Sequence, residues 1–339
     1  MNNKISAVMI ALNEERVIAR CISSLKGFDE IVVLDTGSTD RTLEIARKQG
    51  AAVYMRQPQS PFHFADARNE ANSLAQNDWI CSIDCDEVLR AGSIRKIRHA
   101  IEEHTEATSF KITFIDQPAG GGTKVVSILK LKIYRKSAYN WKYRVHEQLE
   151  PTQTPFPADL PAVAMEHLPV ADKTKRHGQN IELLKLCIKE NPEYARGFRH
   201  LGQELMLRKE YQEAIPYLAE YVEKTDEEPI EKSAVLCNIG KCYGDLGELE
   251  DALKFYDLAA KMDPRRREPL YQAAFQIFSS KKITGEDLVR AKDFLERLLA
   301  IPPAQRPHSH LDYPAAWGNE PAKMLKICED ELRKAGISA

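Results

Sequence analysis

The chain has 339 residues, too many for one ordinary hydrophobic core and enough for two domains. Its 48 lysines and arginines almost balance its 50 aspartates and glutamates, leaving a formal net charge of -2. That balance excludes a protein built mainly to coat nucleic acid or an anionic membrane. The seven cysteines are odd in number and carry no C-x-x-C spacing. Buried thiols in a reducing compartment are therefore expected, not a disulfide framework or a metal ribbon. Cys85, set between two aspartates, is the thiol whose reactivity the sequence raises. No signal-type apolar core opens the chain, and no apolar run reaches membrane-spanning length. A soluble cytoplasmic protein is the expectation.

Ile5 to Leu12 reads as a buried strand, followed by Asn13-Glu14-Glu15. A helix then carries Val17, Ile18, Cys21, Ile22 and Leu25 at helical spacing. Ile31 to Leu34 is a second buried strand ending at Asp35, and the polar turn after it leads into a helix over Leu43 to Gln49. Gly50 stops that helix, and Ala52 to Met55 gives a third strand. The β-α-β-α-β series predicts parallel strands with right-handed crossovers, a Rossmann-like half. Asp35, at a strand end, is placed to accept hydrogen bonds from a base or ribose, and Ser38, Thr39 or Asp40 caps the next helix. Neither a G-x-G-x-x-G nor a G-x-x-x-x-G-K-[ST] run follows these strands, which excludes a dinucleotide fold and a P-loop.

A helix starting near Phe62 and ending near Asn77 carries Arg68 and Asn69 in its early turns, where backbone N–H groups favour an anion. Trp79 to Ile83 is the next buried strand, and it runs straight into Asp84, Asp86 and Glu87. In an extended segment Asp84 and Asp86 point to the same side. At the carboxyl end of a strand they suit a hard divalent cation that holds a diphosphate; a solvated acidic turn is the alternative.

A helix is expected over Ser93 to Glu103, then strands over Phe110 to Ile115 and Val125 to Tyr134, with Gly120-Gly-Gly122 as a hinge between them. Tyr139 to Leu149 reads as one further strand ending in the adjacent pair His146-Glu147, a functional candidate. A Pro-rich loop and a strand over Val163 to His167 follow. From about Thr174 the pattern becomes helical only. Leu201-Gly202 and Ala214 recur as Ile239-Gly240 and Ala252 with the same internal spacing. A third, degenerate copy runs through Leu270, Ala273-Ala274, Ala291, Leu295 and Leu298, and residues 178 to 192 form a capping helix. Arg265-Arg266-Arg267 falls in an inter-repeat turn and reads as solvated; His308-Ser-His310 reads as loop.

Four segments in order carry a resemblance: Met9-Ile-Ala-Leu-Asn-Glu-Glu15, Glu30-Ile-Val-Val-Leu-Asp-Thr-Gly-Ser-Thr-Asp-Arg-Thr42, Ala67-Arg-Asn69 and Asp78-Trp-Ile-Cys-Ser-Ile-Asp-Cys-Asp-Glu87. Together they resemble the family 2 glycosyltransferases of GT-A fold. The helical half is similar to tetratricopeptide repeats, and in the second copy Leu236, Ile239-Gly240, Tyr243, Ala252, Tyr256, Ala259 and Pro264 fall on the repeat positions. The combination is similar to bacterial glycosyltransferases fused to such repeats, including peptide S-glycosyltransferases. Its first half is also similar to lipopolysaccharide-core glucosyltransferases. The resemblance implies an α/β GT-A domain with a Rossmann-like mixed sheet over residues 1–170, followed by an all-α tetratricopeptide solenoid over 174–339.

The resemblance also implies an inverting hexosyl transfer from a nucleoside-diphosphate sugar, most often a UDP-sugar. Ala11, Asn13 and Glu14 then line the nucleotide pocket, Asp35 contacts the base, Arg68 lies near base or diphosphate, and Asp84 faces the ribose or metal. Asp86 binds Mn²⁺ or Mg²⁺, and His146 stands where a third ligand often comes from. Glu147 is the first candidate for the base that deprotonates the acceptor, and Glu87 the second. The acceptor is a peptide or protein recruited by the repeats, or a cell-surface glycan; an exposed solenoid also suits a homodimer. The contrasting expectation is an interaction protein with a vestigial first domain. The intact acids argue against it.

Overall fold

Alternation in the first strand sets two buried faces. Ile5, Ala7, Met9 and Ala11 of β1 (Ile5–Ala11) join one apolar cluster, and Val8 joins the other. The computed structural model describes residues 3–117, 126–169, 179–280, 282–303 and 313–337. It divides into two compact units, Met1–Leu183 and Leu184–Ala339. The expected glycine hinge at Gly120–Gly122 and the loop at His308–His310 lie outside the described residues.

After β1 come α1 (Ile18–Ser24), β2 (Glu30–Asp35), α2 (Thr42–Lys48), β3 (Ala52–Met55), α3 (Phe64–Leu74) and β4 (Trp79–Ser82). The unit continues with β5 (Glu87–Leu89), α4 (Ser93–Glu103), β6 (Ser109–Asp116), β7 (Val126–Arg135), β8 (Tyr139–Lys142), β9 (Gln148–Pro151) and β10 (Pro157–His167). Eight strands form one sheet in the order β3-β2-β1-β4-β7-β6-β10-β5, and β8 and β9 form a separate hairpin. β1 to β4 are mutually parallel, as the crossover pattern predicts. β7 then enters antiparallel to both β4 and β6, so the sheet is mixed. α1 and α4 bury Ile18, Cys21, Ile22, Ile97 and Ile101 on the Met9 face, and α3 buries Ala71 on the Val8 face.

Register brings the reactive ends together. Ala11 pairs with Asp35 and Val8 with Ser82, so β1, β2 and β4 release their following loops on the same edge. His167, at the end of β10, lies opposite both Asp116 of β6 and Glu87 of β5. β10 reaches this position through an irregularity between Leu160 and Ala164.

Two expectations need correction here. Tyr139 to Leu149 is not one strand: it breaks at residues 143–147, and Tyr143 and His146 take positive φ values of 73° and 52°. Such backbone ends a strand and turns the chain back as a hairpin. β5 is an extra strand of three residues, too short to leave a periodic signal.

The second unit consists of α5 (Gln179–Glu190, which spans the unit boundary), α6 (Ala195–Leu207), α7 (Tyr211–Lys224), α8 (Pro229–Leu246), α9 (Leu249–Met262), α10 (Glu268–Phe278), α11 (Gly285–Ala300) and α12 (Glu320–Lys334). The repeated glycines sit where helices of a pair cross closely. A Cβ on Gly240 would lie 2.9 Å from the Tyr256 ring and 3.1 Å from the Ala252 carbonyl oxygen. Gly240→Val is therefore expected to cost about 1–3 kcal/mol by overpacking. Urea unfolding followed by helical circular dichroism checks this, and an unchanged midpoint would refute the close approach.

The arginine run is not solvated as a whole. Arg266 and Arg267 are buried, the first 3.4 Å from Glu268 and the second 4.8 Å over the Trp317 ring. Only Arg265 stays exposed, paired with Asp263 at 2.8 Å. No helix of the described residues is long and apolar enough to cross a membrane.

Candidate active site

The loop after β2 is organised by Asp35. Its Oδ1 accepts hydrogen bonds from the backbone N–H groups of Gly37 and Ser38, both at 2.9 Å. Gly37 has φ +117°, a conformation that only glycine takes cheaply. The other oxygen, Oδ2, is buried without a hydrogen-bond partner among the described residues. An orphan buried acceptor costs free energy unless a donor reaches it. Asn13, expected in the pocket, instead ties two loops together. Its Oδ1 accepts from the Thr39 N–H at 2.8 Å, and its own N–H donates to Ser38 Oγ at 2.8 Å. Asp40, one residue before the N-cap Arg41, accepts from the Thr42 N–H at the start of α2 through Oδ1 at 2.9 Å.

Ala11, Glu14, Arg68, Asp84 and Asp86 do line one cavity of about 480 Å³. His167 lines it as well, together with Thr36, Pro58, Gln59, Phe62 and Phe64, which motif reasoning missed. Residues 56–61 form an irregular connection without periodicity, so nothing in their order announced them. His167 carried the same signal as His146, a histidine at an expected strand end. Only the pairing of β10 with β5 and β6 distinguishes the two.

His167 Nε2 lies 3.4 Å from Asp86 Oδ2, and Nδ1 lies 2.7 Å from Asp116 Oδ1. Asp86 first, then Asp116, holds the imidazolium up to about 9 despite partial burial. His146 lines neither this cavity nor the next and is exposed in the β8–β9 turn. The positive-φ turn that breaks the expected strand is what carries it away. Among the described residues no group of three or more acidic, histidine or cysteine side chains could hold a metal alone.

Arg68 is the hub of the site. Its Nη2 donates to Asp84 Oδ1 at 2.8 Å and its Nε to Glu147 Oε1 at 2.6 Å, while the guanidinium lies 5.0 Å over Trp141. Burial opposes its charge, yet the two carboxylates outweigh that and raise its pKa. Asp84 is likewise disfavoured by burial but held well below the usual carboxylate range by Arg68, then Lys132. Glu87, the second base candidate, is enclosed. Both its oxygens take Lys132 Nζ, at 2.7 and 2.8 Å, and Oε2 also accepts from the Asp84 N–H at 2.9 Å. With a side chain only 3% exposed and both oxygens engaged, it anchors the acidic turn.

The seven cysteines are all free and buried, as expected. Cys85 is buried on the wall of the same cavity: burial pushes its thiol pKa well above the ordinary value, which disfavours the thiolate, and its Sγ contacts the Ile10 carbonyl oxygen at 3.5 Å.

Residues 6–156 match the family described as glycosyl transferase family 2, and residues 233–266 match a tetratricopeptide repeat. The N-terminal unit carries a family 2 glycosyltransferase domain. The matched domain holds the mixed sheet, and the repeat coincides with α8 and α9. An uncharacterised glycosyltransferase of Rickettsia conorii is 37% identical over 108 residues, 31% of this chain and 37% of that protein. The SPbeta prophage-derived glycosyltransferase SunS of Bacillus subtilis is 27% identical over 230 residues, 63% of this chain and 52% of that one. Glucosyl-3-phosphoglycerate synthase from Mycobacterium tuberculosis aligns at 28% identity over 33% of this chain and 44% of that one, with a TM-score of 0.30. The chain thus spans about a third to a half of these relatives' own lengths.

Proposed function

We propose that the glycosyltransferase domain moves a sugar, with inversion, from a nucleoside-diphosphate sugar to an acceptor hydroxyl, and that a divalent cation assists. The observation that carries this reading is Asp86 Oδ2 and His167 Nε2, 3.4 Å apart on the wall of the family 2 domain's cavity. Two ligands of one small cation occupy such a spacing, since each bond is about 2.0–2.1 Å. Asp86 and His167 would hold such an ion and would leave the rest of its shell to diphosphate and water, a pattern common for Mg²⁺ and equally open to Mn²⁺. Once bound, the cation supplies Lewis-acid neutralisation of the diphosphate leaving group.

The remaining roles fall to this chain's own residues. Asp35 Oδ2, without a hydrogen-bond partner among the described residues, supports a nucleotide donor whose base offers a ring N–H, as uracil does. Arg68 fixes Asp84 at the cavity and Glu147 beside it. Glu147 engages Arg68 through Oε1, and its other oxygen is left to take a proton. The acceptor oxygen forms a bond to the anomeric carbon, the bond from that carbon to phosphate oxygen breaks, and the acceptor proton passes to Glu147. The tetratricopeptide repeat supports recruitment of a polypeptide that carries the acceptor group.

Thermal unfolding with UDP, GDP, CDP or dTDP, each with and without MnCl₂, tests the reading. At a hundred times its dissociation constant the right nucleotide adds about 2.7 kcal/mol of stability. A Mn²⁺-dependent shift with UDP is expected. A chain indifferent to all four nucleotides would sink the proposal.

A further inference from the structure

A second cavity, of about 270 Å³, opens beside the first and shares Arg68 and Asp84 with it. Glu147, Lys130 and Lys132 also line it. The two lysines face it together because alternate residues of β7 point to one side. Three cations and three carboxylates meet here, and their pairing is uneven. Arg68 takes Asp84 and Glu147, and Lys132 takes Glu87. Lys130 has no carboxylate within ion-pair distance among the described residues, and its Nζ instead sits 3.6 Å over the Phe114 ring.

That ring does two things. It holds the lysine head beside the cavity, with the side chain still open to solvent, and it also stacks against His167, with ring centroids 6.1 Å apart. Partial burial, then the neighbouring Lys132 charge, lowers the pKa of Lys130. Both effects are relieved by an anion. An acceptor hydroxyl near Glu147 would thus have a fixed, uncompensated ammonium on one flank.

We propose that this second cavity is the acceptor subsite, and that Lys130 selects an acceptor carrying an anionic group, phosphate or carboxylate, beside the hydroxyl that receives the sugar. The inference rests on the transferase reading above and names the chemical class of its acceptor. Lys130 is a specificity determinant in it, touching the acceptor's charge and not the reacting atoms.

The test is isothermal titration of the full chain with inorganic phosphate and, separately, with acetate, in the presence of UDP and MnCl₂. One anion is expected to bind, and Lys130→Gln to weaken it about tenfold, the loss of one charge-assisted hydrogen bond. Lys130→Arg, which keeps the charge, restores most of the affinity. Preference for phosphate assigns a phosphorylated acceptor, and preference for acetate a carboxylate. Equal affinity in wild type and Lys130→Gln, or no binding of either anion to the wild type, overturns the proposal. UDP titrated into the same proteins reports on the donor reading alone. Its failure there would leave the anion contrast to judge Lys130 separately.

Discussion

Asp86→Ala is expected to abolish Mn²⁺-dependent UDP binding and to lower sugar transfer by about three orders of magnitude. The size follows from the several kcal/mol that a Lewis acid contributes at a leaving diphosphate, with each 1.36 kcal/mol about tenfold in rate. Among the described residues Asp86 is the carboxylate that meets His167 from inside the cavity; Asp116 meets the opposite ring nitrogen. Removing Asp86 leaves a lone imidazole, too little to hold a hard cation. The fold should survive, because the turn is pinned by backbone, with the Leu168 N–H donating to the Asp86 carbonyl at 2.9 Å. Asp116→Asn gives a graded comparison. It loosens the ring orientation without removing a ligand, so Mn²⁺ affinity should fall about 10–100-fold. Titrating Mn²⁺ against the thermal shift with UDP ranks the two variants. An Asp86→Ala protein that keeps its Mn²⁺-dependent shift would take the cation away from this site.

Arg68→Ala is expected to be the most destabilising single change in the transferase domain. It leaves Asp84 and Glu147 facing one another without their shared cation. Breaking a buried pair costs about 3–5 kcal/mol, chiefly through the charge left behind. Asp84 retains 40% of its side-chain exposure and Glu147 13%, so solvent screens the first and the lower end, about 3 kcal/mol, applies. For a unit of this size that is roughly 6–12 °C of melting temperature. Arg68→Lys should recover part of the loss, since one ammonium keeps the charge but not the fork that reaches two carboxylates. Calorimetry of the three proteins decides the matter. A wild-type melting temperature in Arg68→Ala would mean that the bridge adds nothing to stability.

Much of the transferase domain was legible because its motifs sit directly after short, strongly apolar strands. Ala52–Met55 and Ser93–Glu103 form the strand and helix their periodicity predicts, Asp35, Asp84 and Asp86 follow the strand ends that position them, and Arg68 lies in the early turns of α3. The failures share one cause. The β8–β9 turn contains neither Gly nor Pro, so the alternation seemed to run on through Tyr143 and His146. The histidine that meets Asp86 is reached only through β10, which pairs with strands far away in sequence. Local pattern carries no trace of such pairing. Lys130 was hidden for a different reason. Its sequence neighbours describe an ordinary strand, and its isolation appears only when the carboxylates around it are assigned to other cations.

The irregularity in β10 has a consequence for how this chain tolerates insertions and deletions. Leu160 pairs with Ile112 and Ala164 with Thr113, so residues 161–163 bulge against a single step of β6, with Pro161 and Ala162 exposed and Val163 buried in the core. That slack can absorb a residue gained or lost upstream without disturbing the strand beyond it. Between Ala164 and His167 there is none. Losing one residue there would turn every later side chain to the opposite face of the sheet. Homologous chains that keep the chemistry should therefore vary in length before Ala164 and hold a fixed spacing after it.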